Sequence, residues 1–565
     1  MTEATRNLLE QHFDTAFAAP DGIARLRELI LTLAMQGKLV DQDPNDPPAS
    51  ELLTEIEAEK QRLVKAGKIK KPKSLPPIKE EEVPYELPQG WEWVRFGDIA
   101  AIERGGSPRP IKAFITADPD GLNWIKIGDT DQGGKYITST NEKIRPEGLV
   151  KTRMVYPGDF LLTNSMSFGR PYITKIQGCI HDGWLRISPP ESLEKDYLYR
   201  LLSSSFIRKM FEAAAAGAVV LNLNSVKVRE LPIPLPPLPE QHRIVARIDQ
   251  LMARCDELER LRKEREEKRL AVHAAAIRGL LDTLDGSAWD FIQQHFGELY
   301  TVKENVAELR KAILQLAVMG RLVPQDPGDP PASELLKEIE TEKQRLLKAG
   351  KIKKPKPLPP IKPEKVPYDL PQGWKWARVW DVAELITSGS RDWAKFYSDS
   401  GAIFVTMGNL SRGSYQLRMD TIRYVVPPVN GEGSRTKLEE NDLLISITGD
   451  VGNLGLIPAN FGEAYINQHT CLLRFMGSIR NRYFPELLRS PLAKEQFDAP
   501  QRGIKNSFRL GDVGEMIIPL PPLPEQQRIV AKIDQLMALC DALEKQIDAA
   551  TGKQTKLLAA MMAQV

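Results

Sequence analysis

The sequence predicts a mixed α/β protein: two mixed α/β globules joined by a pair of long antiparallel coiled-coil helices, with an internal pseudo-twofold repeat. Three observations carry this expectation. The stretch "DQDPNDPPASELLTEIEAEKQRLVKAGKIKKPK" at 41–73 returns at 324–356 with 28 of 33 positions identical. The stretch "LPPLPEQHRIVARIDQLMARCDELE" at 235–259 returns at 520–544 with 21 of 25 positions identical. The offsets, 283 and 285 residues, differ by only two, so the dissimilar stretches enclosed, about 107–231 and 390–517, are nearly equal in length. Self-similarity at long period outranks local propensity as a guide to architecture.

Taken in order, the chain divides into an N-terminal helical region with a basic arm (1–83), a first globule (84–232) and a central shared region (233–366). A second globule (367–517) and a C-terminal shared helix (518–565) follow. "DPPAS" reads as a turn leading into a helix, with Ser50 and Ser333 as N-caps. The segments "KSLPPIKEEEVPYELPQG" and "KPLPPIKPEKVPYDLPQG" hold too much proline for helix and read as extended connectors. Inside the variable stretches, short apolar runs sit between Gly, Asn and Asp turns ("GDFLLTNS", "NDLLISITGD"), which indicates strands.

After "PLPPLPEQ" the apolar positions step by four and three. They are Ile244, Ile248, Leu251, Cys255 and Leu258 in one copy, and Ile529, Ile533, Leu536, Cys540 and Leu543 in the other. That is a heptad seam, and the prolines before it fix a firm helix start. A helix from Pro239 to Leu281 spans about 60 Å. The first seam loses register at "RLRKEREEKRL", whereas the second is sustained. Two independent amphipathic helices, each packed on its own globule, are the plainer alternative to a coiled coil.

Composition places the chain among globular proteins, with 42% hydrophobic and 27% charged residues. The start, "MTEATRNLLEQHFDTAF", lacks the basic and apolar blocks of a secretory leader, and no apolar run approaches the roughly 18 residues of a membrane helix. The four cysteines form no CxxC pair, so a cytoplasmic protein without a disulfide framework, zinc site or membrane contact is expected.

The motif search excludes most chemistry. GxxxxGK[ST], GxGxxG after a strand, HExxH and the Asn-Pro-Pro-aromatic tetrapeptide of amino-methyltransferases are all absent. "EIEAEK" matches a nuclease carboxylate–lysine set only in letters and reads as a solvated helix face. His181 and His469, late in the two variable stretches, have no nucleophile near them in sequence and read as polar-network residues. No catalytic residue is assigned.

Basic side chains remain. Lys60, Arg62, Lys65, Lys68, Lys70, Lys71 and Lys73 cluster, with counterparts from Lys343 to Lys356. In the variable stretches, Arg and Lys stand beside glycines and hydroxyls: "IERGGSPRPIK", "SMSFGRPY", "TSGSRDWAK", "NLSRGSYQLR", "GEGSRTK". A forked donor on close-approaching backbone suits phosphates and base edges. The candidates for DNA contact are Arg104, Arg109, Lys112, Ser167 and Arg170, then Arg391, Lys395, Arg412, Arg435 and Lys437. Each alone more often keeps a loop soluble; the case rests on the set.

Shared and variable blocks in this order, with "PLPPLPEQ" at 234–241 and 519–526 leading into long helices and "LPQGW" at 87–91 and 370–374, resemble the specificity subunit of type I restriction–modification systems. The resemblance covers essentially the whole chain. It implies a non-catalytic subunit whose globules are target-recognition domains, each reading half of a bipartite asymmetric site in double-stranded DNA. It also implies that the helices, through Ile244, Ile248, Leu251, Leu258, Ile529, Ile533, Leu536 and Leu543, set the spacing and dock partners. Those partners are two methylation subunits, bringing S-adenosylmethionine for adenine methylation, and two motor–nuclease subunits using ATP and magnesium; this chain itself binds no cofactor. The competing expectation is a non-catalytic coiled-coil scaffold whose globules bind proteins.

Overall fold

The computed structural model describes all residues except 1–10, 68–73, 132, 165–167, 216–222, 284, 353–357, 429–432, 434, 500–507 and 565. The chain separates into two compact units: residues 1–265 with 550–565, and residues 266–549.

In the first unit, α1 (Gly22–Met35) turns Ile30, Ala34 and Met35 into the core. In α2 (Ala49–Lys65), Ala49, Leu52 and Ile56 make a buried stripe on an otherwise polar helix, the spacing of an amphipathic face. β1 (Glu92–Arg95) leads into the globule. There β2 (Ala101–Arg104), β3 (Tyr136–Ile137), β4 (Phe160–Thr163), β5 (Pro171–Thr174) and β6 (Trp184–Ser188) form a sheet in the order β2-β6-β4-β5-β3. All its pairs are antiparallel except β3 with β5. Five shorter strands, including Leu122–Ile125 and Gly178–Ile180, make a second sheet.

Central strand β4 is buried along its length because the sheet is covered on both faces. Phe160 and Leu162 enter one core, and Leu161 enters another with Tyr172 and Trp184. This is why "FLLT" is a continuous apolar run rather than an alternating one. β7 (Pro232–Leu235) then pairs antiparallel with β1, from Glu92–Leu235 to Arg95–Pro232. The chain leaves the globule beside its entry and passes into α3 (Leu238–Asp282).

The second unit repeats the plan: α4 (Lys303–Val318), α5 (Ala332–Lys348), then β8 (Lys375–Arg378). Its main sheet is β9 (Ala383–Ser388), β10 (Leu443–Ser446), β11 (Leu454–Leu456) and β12 (Thr470–Phe475), in the order β9-β12-β10-β11, all antiparallel. A smaller sheet contains Tyr397–Ser398, Arg423–Val425, Ala402–Val405 and Ala464–Ile466. β13 (Ile517–Leu520) pairs with β8 and opens into α6 (Leu523–Ala563).

The shared blocks meet as one joint, built twice. Buried Glu240, at the start of α3, accepts from Trp91 Nε1 at 2.8 Å and from Gln42 Nε2 at 2.6 Å. Arg243 pairs with Asp46 at 2.6 Å. In the second copy Glu525 accepts from Trp374 at 2.9 Å and Gln325 at 3.1 Å, and Arg528 pairs with Asp329 at 2.7 Å. Gln241 and Gln526 donate to Pro236 O and Pro521 O, closing the proline turn before each helix. So "QDPxDPP", "LPQGW" and "PLPPLPEQ" are near-identical between copies because each supplies part of the same buried contact.

Both helices are long, as the seams require, and α3 runs unbroken through "RLRKEREEKRL". The seams also pack on shorter helices of their own units. Ile244 and Ile248 are fully buried in the first unit's core with residues of α1 and the globule, and Leu251 packs against it. Ile529 and Ile533 are buried in the second unit's core with Ile313, Leu314 and Ala317 of α4, and Leu536 and Leu543 pack there too. The seven side chains named here pack within their own unit. Only Leu258 is exposed, at 47%.

The helix ends cross over. Ala276, Ile277 and Leu280 of α3 join the second unit's core, which also takes in Leu543 and Ile547 of α6. Leu558 and Met561 of α6 pack with Ala16, Phe17, Ala19 and Leu29 in the first.

Two smaller expectations change. α2 and α5 start at Ala49 and Ala332, so Ser50 and Ser333 lie inside the helices, and neither helix has a side-chain N-cap bond. The first N–H groups are turned to the "LPQGW" turns instead: Ala49 N–H donates to Gly90 O and Ala332 N–H to Gly373 O, both at 2.8 Å. Lys60 and Lys343, counted with the basic arms, donate to backbone carbonyls of Asp98 and Trp380. Burial pushes the Lys343 ammonium pKa down. The arm residues Lys68, Lys70, Lys71 and Lys73 lie outside the described residues, as do Lys353, Lys354 and Lys356. The described parts of the proline connectors are extended apart from one short turn in each, Glu80–Glu82 and Pro363–Lys365. Arg95 clamps the first through Pro76 O, Pro77 O and Glu82.

Candidate nucleic-acid interface

Each main sheet has one end where three loops meet: the exit of the first strand, the exit of the central strand, and the turn into the last strand. The register makes the copies comparable. Thr163 opposes Trp184 as Ser446 opposes Thr470, and Arg104 opposes Leu185 as Ser388 opposes Cys471. Asp182 of the first unit therefore corresponds to Gln468 of the second, and Gly105 to Gly389.

In the first unit Asp182 is the hub. It accepts from Ser107 Oγ at 2.7 Å, and Arg109, 81% exposed, lies 3.6 Å from it. Arg104 Nε and Asn164 Nδ2 donate to the Asp182 carbonyl at 3.3 and 2.8 Å. The Ser107 bond draws the Asp182 pKa below the ordinary carboxylate range. Arg170 stands on the neighbouring β4–β5 connection, its N–H donating to Thr163 Oγ1. Lys112 is exposed on the turn Ile111–Ala113. Ser167 lies outside the described residues.

In the second unit the same end opens as a cleft of about 520 Å³ lined by Ser388, Gly389, Ser390, Arg391, Thr448, Gln468 and His469. Arg412 reaches the adjoining turn, pairing with Asp450 at 2.8 Å. Lys395 and Arg435 are elsewhere, flanking the smaller sheet. Lys395 lies 5.2 Å from the Phe396 ring centre, and the turn carrying Arg435 packs on Trp393 through Gly433. Lys437 precedes β10, at its opposite end from the cleft; its carbonyl accepts from Arg474. Of the set chosen by charge, Arg104, Arg109 and Arg170 gather at the first sheet end and Arg391 and Arg412 at the second, while Lys112, Lys395, Arg435 and Lys437 stand apart.

The glycines beside the arginines serve the fold. A Cβ on Gly105 would stand 2.1 Å from His181 O, and one on Gly389 1.9 Å from Ile466 O. They let the strand exit pass close under the neighbouring strand end. His181 and Asn467, which correspond in register, do one job with different atoms. His181 Nδ1 accepts from Gly183 N–H at 2.8 Å, and Asn467 Oδ1 accepts from His469 N–H at 3.1 Å. Burial pushes the His181 pKa down. Sequence reasoning passed over Asp182 and Gln468; the signal was their matched distance from the last strand.

Among the described residues no group of His, Cys, Asp and Glu is placed to hold a metal ion, and no helix is long and apolar enough to cross a membrane. The four cysteines are free and buried. Two copies of one scaffold, presenting different polar groups from the same sheet end, define a two-headed recognition protein.

The chain belongs to the family described as "Type I restriction modification DNA specificity domain", whose model matches twice, at 88–267 and 371–550. It is 35% identical over 95% of its length to the type I restriction enzyme EcoAI specificity subunit of Escherichia coli, covering 92% of that protein. It is 33% identical to the EcoEI specificity subunit of the same species, over 96% of this chain and 93% of the other. The crystal structure of the HsdS subunit from Thermoanaerobacter tengcongensis aligns with a TM-score of 0.43 and 21% identity, over 86% of this chain and 98% of that one. The chain is accordingly a DNA-specificity subunit, the recognition part of a type I restriction–modification assembly rather than its catalyst. The scaffold reading is set aside.

Proposed function

We propose that each globule reads one half of a bipartite, asymmetric double-stranded DNA site in the major groove, and that α3 and α6 set the gap between halves. Two methylation subunits, carrying S-adenosylmethionine, dock on the helical regions. Two motor–nuclease subunits supply ATP- and magnesium-dependent restriction, and the assembly works in the cytoplasm. This chain contributes no cofactor site; it positions DNA for its partners.

The observation that carries the reading is the pair of matched sheet ends: one frame, one register, and different side chains at corresponding places (Asp182 with Arg109, Gln468 with Arg391). The test is methylome sequencing of a host expressing this chain with its methylation subunit. A split motif is expected. Replacing 390–517 with the corresponding stretch of a relative should change one half and leave the other. If both halves change together, the two-reader model is wrong.

A further inference from the structure

The cleft of the second unit holds a side chain that selection by charge alone misses. Gln468 sits half-buried on the turn before β12, its amide nitrogen 2.8 Å from His469 Nε2. His469 Nδ1 in turn lies 2.8 Å from Thr448 Oγ1. A neutral imidazole has one N–H. The ring therefore bridges Thr448 Oγ1 and the Gln468 amide, one nitrogen donating and the other accepting. The backbone holds the ring's own residue in place, since Ile447 N–H donates to His469 O. The relay Thr448–His469–Gln468 therefore fixes the amide plane. The amide's carbonyl oxygen and second N–H have no protein partner among the described residues, and the side chain lines the open cleft.

We infer that Gln468 is a base-reading residue of the second unit, its amide edge taking the N6–H and N7 of an adenine in one half-site. The inference rests on the DNA-reading function proposed above and names a specificity-determining residue within it. Adenine shows a donor and an acceptor side by side in the major groove, and a glutamine amide offers the complementary pair. Turning the amide over exchanges the positions of donor and acceptor but leaves one of each free. Pre-ordering by His469 spares the side chain the rotamer loss that a free glutamine suffers on binding. The corresponding position in the first unit is Asp182, whose carboxylate is already engaged by Ser107 and Arg109. The same turn thus offers an amide in one reader and a carboxylate-held arginine in the other, as two readers of different sequences require.

The test uses the full chain assembled with its methylation subunit, on duplexes carrying the motif found by methylome sequencing. Each adenine of the second half-site is replaced in turn by 7-deazaadenine, which removes N7 and keeps base pairing. One replacement should weaken binding by about five- to 150-fold. In Gln468→Leu that penalty should vanish at the same position, while the first half-site still gives its full discrimination. Gln468→Glu, an acceptor-only edge of the same shape, should move the preference there from adenine toward cytosine, whose N4 amino group donates. Equal binding to every deaza duplex overturns the inference, as does a penalty that survives in Gln468→Leu. Loss of all sequence preference in the parent assembly would instead overturn the DNA-reading function itself.

Discussion

Asp442 is fully buried at the start of β10, where the Arg474 guanidinium grips it with Nε at 2.7 Å and Nη2 at 2.6 Å. The first unit has the same device in other letters: Asp159 precedes β4 and takes Arg186 at 3.0 Å and Ser188 at 2.7 Å. In both, a carboxylate closes the turn before the central strand and fixes its register against the last strand. Removing one partner of a buried pair strands the other charge and costs about 3–5 kcal/mol. Asp442→Ala should therefore lower the stability of the second unit by that order, read as an earlier chemical-denaturation transition, with the first unit's transition unmoved. An unchanged midpoint for the second unit would show that Glu439, also on Arg474 at 2.6 Å, suffices to hold the guanidinium.

At the scale of elements, the joint of Trp91, Gln42 and Glu240 makes a pH-dependent statement. Burial raises the Glu240 pKa from its ordinary 4.5, against the pull of Trp91 and Gln42, and Glu525 behaves alike. A raised folded-state value means that the folded protein binds the proton more tightly than the unfolded chain. The stabilisation is present below pH 4.5 and is lost as pH rises through the raised value. At neutral pH the charged Glu240 weighs against the fold. Glu240→Gln keeps an oxygen for Trp91 and lets Gln42 turn its amide over. It should raise the melting temperature at pH 7 relative to the parent and give no gain at pH 4. Glu240→Ala leaves the buried Trp91 Nε1 without a partner and should lose stability at both, by about 1–3 kcal/mol for that unsatisfied group. A Gln variant equally destabilised at both pH values would contradict the assignment.

The same scale shows what sequence alone could reach. The repeat located the two units, the proline turns and both long helices, because near-identity over 21 of 25 positions needs no energetics to interpret. It could not say what the seams touch. Ile244 and Ile529 have heptad spacing whether the neighbour is another long helix or α1 and α4, since a helix face records its own burial and not its partner. Ser50 has the residue type that favours a cap, yet the Gly90 carbonyl takes the role by accepting from Ala49 N–H, 41 residues away in sequence. At the sheet ends, Arg104, Arg109, Arg391 and Arg412 were legible as charge beside glycine. Asp182 and Gln468 were not, because their meaning lies in cross-strand register, which a single sequence does not display.

For the whole molecule, α3 is one helix of 45 residues and carries the chain from the first unit into the second. If it acts as the ruler proposed above, its length sets the distance between half-sites. Duplicating four residues after Leu258 adds about 6 Å. DNA rises about 3.4 Å per base pair, so the gap should widen by one to two base pairs while both half-site sequences stay the same. The lower value is expected, since α6 keeps its length. Leu258 is exposed and "RLRKEREEKRL" is largely solvated, so the added turn disturbs little packing there. Methylome sequencing of the altered chain reads the outcome directly. An unchanged gap with activity retained would mean that the helices do not set the spacing.

The crossing of the helix tails also orders events in time. Ala16, Phe17 and Leu29 share their cluster with Leu558 and Met561, residues that leave the ribosome more than 500 positions later. Until the far end of α6 is made, the apolar notch of Ala16, Phe17, Ala19 and Leu29 lacks its cover from Leu558 and Met561. Only a chain translated through α6 conceals the notch, so a prematurely terminated copy would remain marked for the chaperones and proteases that survey exposed apolar surface.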